Sequence, residues 1–293
     1  MVIRANRLSA WIVGLAGLAG ASAAPAQTVD AAAYVPAPPG TQITIVYGQY
    51  GHSGSRYAKG DKTDGDVDVS RYTAIARYIR YGEFGGHTYN LQILQPFGHA
   101  AAEGSTATLG DATGLGDTIV TAQVFLHEDR RSRTFFGIQP YLYLPTGDYD
   151  GRRGLNIGEN RWKASIQAGG SKALGRHVVV ETVADAMIFG DNDDASGGRR
   201  LETDPLFRVQ LFGRYVFNPT HEANLRLVYS EGGQTSLDGV ERDDRTGTTS
   251  ALVTWRYNFR PTLNLLSQIG TDLSVRNGLR EDARVQFRLT RLF

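Results

Sequence analysis

Cysteine is absent from the 293 residues, and neither sign of charge is in excess: 31 Lys and Arg stand against 30 Asp and Glu. The first absence excludes a disulfide scaffold, cysteine-ligated zinc and a thiol nucleophile. The second excludes a nucleic-acid binder working by bulk attraction, which needs a marked basic excess. Beyond the first few dozen residues there is also no run of about 20 apolar residues, so no helix there spans a bilayer. A membrane location survives this absence. Strands of a transmembrane barrel alternate apolar and polar residues and average to a soluble-looking hydropathy, and the mean hydropathy here is -0.29. The 35 glycines, 14 tyrosines and 12 phenylalanines suit such a barrel.

The chain opens with Arg4 and Arg7, an apolar run from Ala10 to Gly20, and the small-residue stretch Ala21-Ser22-Ala23-Ala24-Pro25-Ala26. A basic start, a short apolar middle and an Ala-x-Ala end predict a secretory signal peptide over residues 1–26, cleaved after Ala23 or Ala26. Its removal takes two arginines and no acid, leaving 29 bases against 30 acids. Residues 27–40, with Ala31-Ala32-Ala33 and prolines at 36, 38 and 39, show no period and read as a periplasmic lead-in or linker.

From Thr41 to Phe293 the period is two, the mark of strands with one polar and one apolar face. Twelve such stretches follow one another. Ile43, Ile45 and Tyr47 share one side of the first; Tyr72, Ala74, Ala76 and Tyr78 oppose Arg71, Thr73 and Arg77 in the second; Val253, Trp255, Tyr257 and Phe259 oppose Thr254, Arg256 and Asn258 in the tenth. Connections after odd-numbered strands are long and polar, and those after even-numbered strands are brief, as in Gly82–Gly86 and Arg260-Pro261. Short periplasmic turns and long external loops form the pattern of outer-membrane barrels. The expected fold is therefore all-β, a transmembrane antiparallel up-and-down β-barrel of about 12 strands over residues 41–293. The competing reading, a soluble sandwich or lipocalin-like barrel, would turn the apolar face inward.

Taking apolar side chains as lipid-facing puts Arg71, Arg77, Lys163, Arg208, Arg214, Arg226, Arg256, Arg284 and Arg288 in the lumen, with Glu181, Asp185 and Glu222 as the acids. Such an excess of bases would favour anions such as carboxylates or phenolates. The same residues could instead fill a narrow lumen with ladders of salt bridges, and both readings stand at this point. The loop from Gly98 to Gly116 is either an inward constriction or a flexible connection.

The C-terminal alternation Val285-x-Phe287-x-Leu289-x-Arg291-x-Phe293 is similar to the assembly signal of Gram-negative outer-membrane barrels, with Arg291 a departure from its apolar pattern. Three glycine-rich stretches also resemble the Putative MetA-pathway of phenol degradation family: Gly114-Leu-Gly-Asp117, Leu144-Pro-Thr-Gly-Asp-Tyr149 and Asn156-Ile-Gly-Glu-Asn160 ahead of Trp162. A proline expected in the sixth strand is missing. The resemblance implies an outer-membrane transporter passing small solutes, aromatic or otherwise hydrophobic, with no cofactor. The partners expected of such a barrel are outer-membrane lipid and lipopolysaccharide, the barrel-assembly machinery and the small-molecule solute, and, from the balanced charge, no nucleic acid. The rival readings are a plugged structural or surface-interaction barrel and a lipid-acting barrel enzyme.

Enzymatic and metal-binding signals are sparse. Gly114-x-Gly116 is followed by neither a lysine-serine pair nor a helix, so it is a turn signal. Asp64-x-Asp66-x-Asp68 and Asp191-x-Asp193-Asp194 lack the glycine and distal glutamate of a calcium loop. His52 sits beside Ser53, but adjacent strand residues point to opposite faces, and no lipase elbow is present.

Overall fold

The computed structural model describes residues 29–293; the expected signal peptide, residues 1–26, lies outside the described residues. Twelve strands make a closed wall: β1 (Gln42–Ser53), β2 (Val67–Phe84), β3 (His87–Gly104), β4 (Thr118–Asp129), β5 (Thr134–Leu144), β6 (Lys163–Leu174), β7 (Val178–Phe189), β8 (Leu206–Val216), β9 (His221–Gly232), β10 (Thr246–Arg260), β11 (Leu263–Val275) and β12 (Ala283–Leu292). Each pairs antiparallel with the next. β12 then pairs with β1, from Leu292 opposite Ile43 to Ala283 opposite His52, which closes the ring. A short strand, Asp111–Leu115, continues the line of β4 across a break at Gly116 and Asp117 and keeps pairing with β3.

The turns at one end are brief, such as Gly85-Gly86 and the Arg260 to Leu263 connection. At the other end the loops are long and carry small sheets of their own, one joining 55–58, 61–62 and 278–280, another joining 192–195, 199–203, 235–237 and 240–241. Gly98 to Gly116 is not a loose loop. It lengthens β3 to Gly104, makes one 3-10 turn at Ala107–Leu109, and packs Ala100, Leu109 and Ala112 against Leu155.

Alternation assigns the two faces. Leu91, Ile93, Leu211, Leu225, Val253 and Ile269 stand exposed on the outside, while Asn90, Gln92, Gln210, Asn224, Thr254 and Gln268 are buried inside. A contiguous apolar band around the outside of a polar interior has no reason to exist in water and is what hydrocarbon requires.

Two expectations need correction. Ile45 and Tyr47 do not face lipid; they are buried inward, with Ile43 packed beside them, in a cluster with Ile75, Ile79, Leu94, Ile119 and Tyr141. Alternation separates two faces without saying which is inside. Pairing decides, because Ile45 lies opposite Arg77 and Tyr47 opposite Ile75. The inner wall along β1 to β5 thus carries an apolar cluster beside the polar Arg77, Asn90, Gln92, Gln123 and Gln139, and along β6 to β12 it is charged. The second correction concerns the lead-in over residues 27–40. Of its described residues, 29–40, only Pro38, Pro39 and Gly40 are exposed, at the short-turn end where the Gly40 amide donates to the Tyr81 carbonyl; residues 29–37 lie within the barrel.

Val253 stands at the middle of β10, more than half exposed. Val253→Arg is expected to cost about 2–4 kcal/mol of folding free energy, read as a lowered denaturant midpoint for refolding into lipid vesicles; the same change at inward Thr254 has no lipid contact to lose.

Candidate functional site

Residues 29–37 touch side chains from five strands spread around the ring, which is possible only from inside it. Asp30 accepts from Arg288 Nη1 at 2.8 Å and from Gln286 Nε2 at 3.3 Å, both on β12. The Ala32 amide donates to Glu181 Oε2 on β7 at 2.9 Å. Tyr34 donates its hydroxyl to Gln167 Oε1 on β6 at 3.1 Å, and the Ala33 carbonyl accepts from Gln123 on β4 at 3.2 Å. The Val29 carbonyl accepts from Arg226 on β9. Ala32 adopts φ 70°, turning the chain between the Ala33 amide bond to Asp30 and the Val35 amide bond to Ala32. The Tyr34 ring presses on Gly169, where a Cβ would lie 2.4 Å from the ring. The segment fills the middle of the lumen.

The inward charges found in the sequence are mostly engaged. Arg208 meets Asp185 at 2.9 Å across the β7–β8 pair. Arg214 meets Glu181 at 2.7 Å and Glu222 at 3.2 Å, and Arg256 also binds Glu222, so these four form one cluster. Arg77 donates to Tyr47 at 3.1 Å and to Gln92 at 2.9 Å. Arg226 reaches Gln268 as well as Val29. Lys163 is bound to Glu159, Arg284 to Glu281 and Arg288 to Asp30. Three of these acids, Asp30, Glu159 and Glu281, stand outside the strands, so a count made along strands overstates the bases. Arg71 alone of the nine has no side-chain hydrogen bond or ion pair among the described residues.

The glycine-rich motifs meet in one place. Asp117 accepts from the amides of Gly147 and Glu159 at 3.0 and 3.1 Å. Asp148 exchanges bonds with Leu115, and its carbonyl accepts from Gly158 at 2.9 Å. Gly147 and Gly158 are in backbone contact, and a Cβ on either would come within 2.8 Å of the other. This knot turns Glu159 inward onto Arg161, at 2.9 Å, and Lys163. Burial alone would raise the Glu159 carboxyl; Lys163 and then Arg161 outweigh that and lower it to about 2.

Beside the knot lies a cleft. Inward-facing Arg71 and Thr73, Pro96 and Gly98 of β3, Gly116 at the strand break, and Ile157 from the knot line it, together with outward-facing Tyr72 and Phe97. Its residues therefore come from both faces of the wall. Arg71, Glu159 and Lys163 also line a second, larger cavity beneath the long loops, so the two spaces adjoin.

A family model described as Putative MetA-pathway of phenol degradation matches residues 53–289. The chain belongs to that family. It is similar over its length to the COG4313 outer membrane channel from Pseudomonas putida F1, with 36% identity, 91% of this chain and 100% of that chain covered, and a TM-score of 0.88. Two other solved structures share the barrel fold alone. These are the β domain of the Bordetella autotransporter BrkA (11% identity, 87% and 100% covered, TM-score 0.53) and the translocator domain of the autotransporter NalP from Neisseria meningitidis (10%, 89% and 90%, 0.50). A search of curated proteins finds no match. The chain is an outer-membrane β-barrel, and a solved outer-membrane channel is among its relatives.

In this family member His52 does not serve Ser53. His52 Nε2 lies 3.3 Å from Asp68, while Ser53 is buried on the inner face. Asp191 and Asp193 face Arg200. At the C-terminus, Phe287, Leu289 and Phe293 are exposed outward with Val285 half-buried, and the Arg291 guanidinium lies 5.0 Å from the Phe293 ring centre.

Two outcomes are expected of this site. Asp30→Ala leaves Arg288 buried without its carboxylate, and breaking such a pair costs about 3–5 kcal/mol. The segment should then leave the lumen, with single-channel conductance in a planar bilayer rising at least about twofold on opening the bore. The Glu159 contribution to the knot is complete above its unfolded value of 4.5 and is lost as pH falls through about 2. Pepsin should accordingly cut residues 145–162 of the wild type near pH 1.5 and spare them at about pH 4, whereas Glu159→Gln should be cut at both.

Proposed function

We propose that this barrel passes small apolar compounds, aromatic ones among them, by a sideways route: in from the loop-covered cavity, through the cleft at Pro96, Gly98 and Gly116, and out toward the lipid. The observation that carries the reading is the cleft itself, whose lining joins residues of the inner and outer faces while residues 29–37 occupy the straight path. Pro96 removes one amide from β3, and the break at Gly116 and Asp117 interrupts the neighbouring strand, so the wall is least continuous there. The apolar cluster on the inner wall of β1 to β5 gives such a solute a surface to follow.

The reading assigns no covalent chemistry to the chain. The engaged bases of the lumen are framework that holds the N-terminal segment, and the basic passage expected from the sequence narrows to Arg71. The terminal residues Val285, Phe287, Leu289 and Phe293 are assigned as the signal read by the barrel-assembly machinery, and the outer loops as the surface set among lipopolysaccharide.

Gly98 decides the reading by experiment. A Cβ there would sit 3.3 Å from Ile157 Cγ2 and 3.4 Å from the Tyr72 carbonyl, so a leucine fills the gap. In a Gram-negative host, initial uptake of a radiolabelled alkylbenzene should fall several-fold with Gly98→Leu and rise with Ile157→Ala, with conductance of ions unchanged in both. Equal uptake by all three proteins, each shown to be a folded barrel by its heat-modifiable gel mobility, would sink the sideways route.

A further inference from the structure

Arg71 sits where the two cavities meet, and its surroundings leave its guanidinium uncovered. On one side β1 places Gly51 opposite it, and on the other β3 places Ala100. Neither has a side chain long enough to reach a guanidinium head. The carboxylate whose field acts on Arg71 is Glu281, which leans over Gly51 and is bound by Arg284. The other acids lining the two cavities are committed elsewhere in the same way. Glu159 is held by Arg161 and Lys163, Asp117 accepts two backbone amides, and Asp272 accepts from Ser250 and the Glu281 amide. Asp243 is paired with Lys59, and Asp244 with Thr235 and Arg242. Among the described residues Arg71 is thus a cation without a hydrogen-bonded partner at the edge of an apolar cleft.

We infer that Arg71 is the anchor of a binding site for small hydrophobic monocarboxylates, compounds with one carboxylate on an aromatic or alkyl body. The inference rests on the sideways-route reading and adds the class of solute that the route retains. A partly buried guanidinium left unpaired is unfavourable, and its planar pair of N–H donors matches a carboxylate in a two-bond arrangement. The rest of the cleft suits the body of such a molecule: Pro96, Ala100, Ile119, Tyr143, Leu155 and Ile157 line it. One free cation beside paired acids fits a single negative charge. A doubly charged phosphate would bring a second charge against Glu159 and Asp117 with nothing to neutralise it.

The test compares two probes with the same body, 4-butylbenzoate and 4-butylbenzyl alcohol, by equilibrium binding to the full protein in lipid nanodiscs, with empty nanodiscs subtracted. The wild type should bind the carboxylate about tenfold tighter than the alcohol, as befits a hydrogen bond to a charged group. Arg71→Gln should erase that preference with the alcohol unaffected, Arg71→Lys should keep part of it, and Arg56→Gln, which changes a cation of the outer cavity, should leave it intact. Heat-modifiable gel mobility confirms the folded barrel in each case. Equal affinity of the wild type for both probes, or a loss of both in Arg71→Gln, overturns the anchor. If the alcohol binds and follows Gly98→Leu while the carboxylate gains nothing, the anchor fails and the route stands; if neither probe binds the wild type, both fail.

Discussion

Everything in this protein follows from the need to leave no backbone amide or carbonyl unpaired inside hydrocarbon. A sheet meets that condition only by closing on itself, and here the closing seam joins the first strand to the last. Gln42 and Phe293 exchange amide bonds at 2.8 and 3.2 Å, at the point where the barrel begins and ends. Closure fixes the outer face as apolar, and through the alternation of side chains it fixes the inner face as the place for everything else. A ring of twelve strands is too wide for its own side chains to fill and narrower than an open porin. The N-terminal segment takes up that space.

The segment also settles the electrostatics of the interior. Arg288 and Arg226 project from β12 and β9 into a region of low dielectric, where an unpaired charge is expensive. Asp30 and the Val29 carbonyl meet them, and in return the segment acquires partners for backbone groups that no sheet supplies, such as the Ala32 amide on Glu181. Wall and segment therefore support one another. The cluster of Arg214, Arg256, Glu181 and Glu222 follows the same logic within the wall alone. Arg71 departs from it, and the departure falls at the margin of the cleft rather than in the packed middle of the lumen.

The barrel was legible because its signals are periodic and redundant. Twelve alternating stretches, loops that alternate in length, and a terminal alternation ending at Phe293 each point to the same fold. Faces were harder to read. Where one face is charged, as in Arg208, Gln210 and Arg214 against Val209 and Leu211, the sequence says which side is inner. Where both faces are apolar or neutral, as with Ile43, Thr44, Ile45 and Val46, only pairing with β2 decides. Residues 29–37 left no signal, because a segment whose hydrogen bonds go to side chains of many strands needs no period. The acids Glu159 and Glu281 were missed for a related reason: loops fold them back into the lumen, and sequence spacing does not encode that return. The cleft needs three segments distant in sequence, around residues 72, 97 and 157, and no single stretch announces it.

The glycine-rich motifs that carry the family resemblance bear on the cleft indirectly. Gly147 and Gly158 pack backbone to backbone, and Asp117 ties both loops by two amides. These contacts require the absence of a side chain or one short carboxylate, so they constrain residue type tightly. Leu155 and Ile157, on the same loop, line the cleft with apolar side chains that the knot holds in place without specifying their size. A division of labour follows. The motif residues set where the side wall of the cleft stands, and the residues between them set its width, so solute preference can change at positions 155 and 157 with the knot untouched.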